Sequence, residues 1–186
     1  MSEAVAGWDT FYVIIGSSAA ALTGLMFVVI SLTADVRFAP VDRINGLDAY
    51  ATPTVMHFCL VLLTAAVLTS PRHTTVTVGG GIGVVALIGL GYMIAVLLRM
   101  RRVHAYQPVA EDWIWHTILP LVAYLSLAAS AYFLWHGGDN WLYCVGADAL
   151  LLLYVGIHNA WDTATWMAVH GGDPADQSSR PGAPPA

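Results

Sequence analysis

Long apolar runs separated by short polar segments dominate the chain. Residues 11–33 (FYVIIGSSAAALTGLMFVVISLT), 52–70, 74–98, 112–135 and 141–168 each hold 19 or more positions with at most two acidic side chains. None alternates apolar and polar residues with the period of two that a half-buried strand requires. A helix needs about 20 apolar residues to cross a bilayer, and hydrocarbon admits only helices or closed barrels. The pattern therefore predicts an all-α integral membrane protein, a bundle of five transmembrane helices forming one domain over residues 1–170. Thr52 is placed to cap the second helix, with Pro53 at the first helical position, where a missing N–H costs nothing. The fifth helix starts at Trp141, and its end falls between Trp161 and Ala168. The segment 171–186, GGDPADQSSRPGAPPA, is rich in Pro, Gly and Ser and is expected to be a disordered tail.

Composition strengthens this picture. Only 10% of residues are charged and 58% are hydrophobic, whereas soluble domains carry roughly 25% charged residues. The chain lacks the polar surface to face water on all sides, so its main partner is expected to be the lipid bilayer. Glu3 and Asp9 stand where a cleavable signal needs basic residues, and the first run is too long for a signal core, so it is expected to stay as a span. Cys59 and Cys144 both fall inside apolar runs without CxxC spacing and read as buried thiols.

The cations set an orientation. There is no lysine, and the seven arginines form no basic patch of the kind that binds nucleic acid. With five crossings, Arg37, Arg43, Arg99, Arg101, Arg102 and Arg180 share one side, and Arg72 alone lies on the other. Positive residues stay in the cytoplasm, which predicts the N-terminus outside and the C-terminus inside, in a bacterial inner membrane. Trp8, Trp135 and Trp141 then fall at outer ends, and Trp113, Trp115, Trp161 and Trp166 at inner ends, as interfacial anchors do.

Within lipid, helices associate through close backbone approach rather than apolar burial. Small residues recur at four-residue spacing as Gly16, Ala20 and Gly24 in the first helix and Gly79 and Gly83 in the third. In the fifth they recur as Gly156, Ala160, Ala164 and Ala168. Such seams pack either within the chain or against a second copy, and a homo-oligomer is expected.

Ionisable residues inside spans are costly and usually face the bundle interior. His57 lies about one turn inside the second helix, and His116 about one turn inside the fourth, both from the expected cytoplasmic end. His158 and Asp162, at i and i+4, project together from the fifth helix. If that helix extends to Ala168, all four groups reach similar depth and can form a shared polar site. If it ends near Trp161, Asp162 falls among headgroups and has no functional meaning. Asp148 sits about two turns inside the other end of the fifth helix, with Arg72, His73 or the Ser17/Ser18 pair as its expected partner. Pro120 lacks an N–H, which is expected to free the carbonyl of His116.

His57, His116 and His158 are the candidate ligands for zinc or another divalent metal, with Asp162 able to orient His158. Two histidines on separate helices could instead hold a haem iron, and a His–Asp pair can relay protons. No cofactor is singled out, because HExxH, GxSxG and Walker spacings are all missing. GSSAAALTGLMFVVISL and HNAWD look motif-like but attach to no known activity. The expected function is that of a small oligomeric inner-membrane protein of transporter or channel type with a polar site near the cytoplasmic side. The alternative is a non-catalytic accessory or assembly protein. A metal- or haem-binding enzyme or redox subunit comes third.

Overall fold

The computed structural model describes residues 7–34, 52–71, 74–100 and 113–170. Arg37, Arg43, Arg72, His73, Arg101, Arg102, Arg180 and the tail 171–186 lie outside the described residues. Within them the chain is all-helical, without strands. The elements are α1 (Asp9–Ala34), α2 (Thr52–Thr69), α3 (Thr75–Met100), α4 (Leu119–Trp135) and α5 (Leu142–His170). A π turn, Ile114–Ile118, leads into α4, and a 3-10 turn, Asp139–Trp141, leads into α5. Five helices are long and apolar enough to cross a membrane. The fifth passes well beyond Trp161, so Asp162 stands within helix.

Local chemistry explains the ends. At the start of α3, the Thr77 N–H donates to Thr74 Oγ1 at 3.2 Å and the Thr74 N–H donates to Thr77 Oγ1 at 2.8 Å. This reciprocal cap satisfies donors that the first helical turn leaves open. At the end of α4, Gly137 takes φ +86°, a conformation in which a side chain would be strained. The Gly137 N–H donates to the carbonyl of Leu134 and that of Gly138 to Phe133, at 3.0 and 2.9 Å. This pair of bonds is a Schellman stop. Pro120 sits in the first turn of α4. The chain accommodates it with the wider π turn, in which the Leu119 N–H donates to the carbonyl of Ile114.

The helices close into a ring, α1 against α2, α2 against α3, α3 against α4, α4 against α5 and α5 against α1, with α2 also meeting α5 across it. Small residues set the spacing. A Cβ on Gly16 would come within 2.9 Å of Ala65 Cβ, and one on Gly79 within 2.8 Å of the Trp135 backbone nitrogen. Gly83 faces Ala131, Gly89 lies under the Tyr124 ring, and Gly156 lies under Phe58. These glycines are therefore used up inside the chain. Ala20 is exposed, and Gly24 and Gly91 have open space around them. Ala160 packs against the core as a half-buried residue. Half of the spanning window of α2 and of α5 is buried, against 22% for α1 and 28% for α3. The interior thus belongs chiefly to α2, α4 and α5. Cys59 is exposed and Cys144 half-buried, and both are free thiols, which corrects the expectation of buried cysteines.

Candidate functional site

Two polar groups occupy the bundle interior, and neither contains the His158–Asp162 pair. The first begins at His57, in the second turn of α2 and wholly buried. The helix offers it no carboxylate, so its partner comes from α4: His57 Nδ1 and Tyr124 Oη share a hydrogen bond of 2.7 Å. Tyr124 is also fully buried, its ring lying where a side chain on Gly89 would stand. Three helices therefore build this contact, α2 and α4 by their side chains and α3 by leaving room. His57 Nε2 has no protein partner. His116, on the π turn, lies close enough to His57 to interact with it electrostatically. Thr117, the next residue, is buried with its hydroxyl unpartnered.

The second group lies toward the opposite end. Asp148, 6% exposed, accepts a hydrogen bond from Ser126 of α4. Tyr12 of α1, wholly buried, lies close enough to Asp148 to interact with it electrostatically. Tyr12 Oη, Asp148 Oδ2 and the buried Ser130 Oγ have no protein hydrogen-bond partner. The Ser17/Ser18 pair is not the partner of Asp148. Ser17 is exposed, and the Ser18 hydroxyl donates to the carbonyl of Ile14 at 2.8 Å. Arg72 and His73 lie outside the described residues. Asn159, eleven residues further along α5 and 1% exposed, has neither side-chain atom bonded.

His158 and Asp162 form an ion pair of 3.2 Å between Nε2 and Oδ2, with the two side chains 26% and 51% exposed. The His158 ring stacks on Trp115 at 3.8 Å between centroids. The pair thus lies on the flank of α5, satisfied locally by a neighbour one turn away and by an aromatic face. His57 and His116 are brought together, and His158 and Asp162 are brought together. Asp148 stands about 15 Å along α5 from His158, so the five residues do not form one site. Among the described residues, no group of three or more His, Cys, Asp or Glu side chains is placed to hold a metal ion.

Sequence reasoning missed Tyr12, Tyr124, Ser126, Ser130 and Asn159. The signal was present for some of them: Tyr12 and Tyr124 carry hydroxyls within apolar runs, and Ser126 and Ser130 stand at i and i+4 on one face. Chemically, the His57 group can accept and pass a proton, because imidazole has two nitrogens and only one is engaged. The Asp148 group offers oxygen donors alone. An open apolar cleft of about 350 Å³ between α2 and α3, lined by Leu63, Val67, Thr77 and Val78 among others, contains none of these groups.

No protein-family model matches the chain, and neither a curated protein nor a solved structure matches it.

Proposed function

We propose that the chain crosses a bacterial inner membrane five times, N-terminus outside, and serves as a transporter or channel-type protein for protons or small cations. One observation carries this reading: polar atoms without protein partners recur along the interior, from Tyr12, Asp148 and Ser130 to Asn159, His57 and Thr117. Each unpaired buried donor or acceptor costs about 1–3 kcal/mol, and lipid supplies no substitute partner. A bundle selected only for packing would replace such groups with apolar ones. Groups that exchange a proton, a water or a cation keep them. The His57–Tyr124 pair serves as the polar site near the cytoplasmic side. Self-association is part of the proposal, supported by the open surfaces at Gly24 and Gly91, which allow helices of two copies to approach closely.

Flux into proteoliposomes tests it, with a pH-sensitive dye and a Na⁺-sensitive dye as parallel readouts. Wild-type protein is expected to pass one of the two ions faster than empty vesicles, and His57→Leu to lower that rate by about tenfold, equal to some 1.4 kcal/mol of barrier. Wild-type rates equal to those of empty vesicles for both ions would overturn the proposal. An accessory role is the second reading, favoured by the consumption of Gly16, Gly79, Gly83 and Gly156 in contacts within the chain.

A further inference from the structure

We infer that Asp148, Tyr12, Ser126 and Ser130 form a binding site for one small monovalent cation, a proton or Na⁺. The inference names the ligand of the transport reading and takes its physiological meaning from it.

The donors come from three helices. Asp148 stands about 9 Å inside α5 from Leu142, and Ser126 and Ser130 bracket the same depth in α4. Tyr12, in the first turn of α1, reaches inward to it. Ser126 already bonds the carboxyl group. Oδ2, the Tyr12 hydroxyl and the Ser130 hydroxyl remain without protein partners although their residues are at least nine-tenths buried. A carboxylate in that setting is tolerated only when neutralised, and no Lys or Arg side chain accompanies it among the described residues. The donor set is all oxygen, which suits hard cations and not the softer metals that histidine or thiolate would hold. It carries one negative charge, so one monovalent ion balances it, whereas calcium sites use more oxygens and usually several carboxylates.

Aromatic side chains cluster at this end of the bundle. Trp8 packs on Phe11, Tyr12 and Tyr143, with ring centroids 5.5, 5.9 and 4.9 Å apart. A Cβ on Gly146 would lie 3.0 Å from the Trp8 ring. That cluster packs against Tyr12 at the start of α1.

An apolar carbodiimide, which adds to a protonated buried carboxyl, is the probe. The full-length protein in detergent is treated in NaCl or in choline chloride, digested and read by mass spectrometry. Labelling of Asp148 is expected, with a rate that changes several-fold in both the Tyr12→Phe and the Ser130→Ala chains. Slower labelling in NaCl than in choline chloride assigns the site to Na⁺, and equal labelling in the two salts assigns it to the proton. No labelling of Asp148 in either salt, in protein that remains monodisperse, would overturn the inference. A rate unchanged by both substitutions would overturn it too, because the carboxyl would then be an isolated group. Labelling is independent of flux, so a labelled protein without flux removes the transport reading and keeps the site. Flux without labelling does the reverse.

Discussion

His57 and His158 lie on neighbouring helices at the same end of the bundle, yet their surroundings are opposite. His158 has Asp162 one turn away and Trp115 against its ring, and it is a quarter exposed. His57 is wholly buried, takes its partner from another helix and has an unpartnered Nε2. The His–Asp spacing that stands out in the chain is a sign of local satisfaction. A pair at i and i+4 closes on itself and needs nothing from the rest of the fold. A polar residue with no companion on its own helix has to find one across the interior, and those are the residues around which the bundle is organised.

Six substitutions at five positions sharpen or break this contrast. The largest loss is expected for Gly89→Val, which puts a branched side chain where the Tyr124 ring lies. That ring is held by His57 and cannot swing away freely, so overpacking should cost about 3 kcal/mol in detergent unfolding. Gly24→Val, facing open space, should leave the unfolding midpoint of the monomer unchanged. His57→Leu comes next. It strands the Tyr124 hydroxyl and should cost about 1–3 kcal/mol, with much of it recovered in the double variant with Tyr124→Phe, since removing both partners of a buried bond can be nearly neutral. A double variant that is merely the sum of the singles would remove the hydrogen bond from the account. Asp162→Ala should change stability by about 0.5 kcal/mol or less, as exposed ion pairs do, and the change should shrink in high salt. Smallest of all, Asp162→Asn should leave proteoliposome flux at the wild-type rate. A strong loss there would return the exposed pair to the pathway and reverse the comparison.

Much of the architecture was legible in the residues. Run length and the polar segments between runs mark five helices because the outward-facing and core-facing sides are both apolar, so a whole helix stands out as one block. The Thr74 cap, the π turn before Pro120 and the Gly137 stop emerge only in the structure. The candidate site was less legible for the same reason the helices were easy. With both faces apolar, no hydrophobic stripe tells which side of a helix turns inward. His57 and His116 stand out as histidines within apolar runs, but Tyr124 is invisible as a partner because it lies 67 residues away from His57. Asp148 stands out as costly, yet the Ser17/Ser18 pair is not its partner. Ser17 and Ser18 enter from the correct end, but Ser17 is exposed and Ser18 bonds back to its own helix.

What the sequence determined by itself is local and additive: the number of helices and their approximate extents. These depend on the hydropathy of about 20 consecutive residues. What only the tertiary structure decided is rotational: the turning of Asp148 toward Ser126 and Tyr12, of His57 toward Tyr124, and of His158 and Asp162 outward. A rotation of a helix by half a turn exchanges inward and outward residues without changing its composition. Close packing of glycines such as Gly16, Gly79, Gly89 and Gly156 against specific neighbours selects among such rotations, because close backbone contact is possible on one face alone.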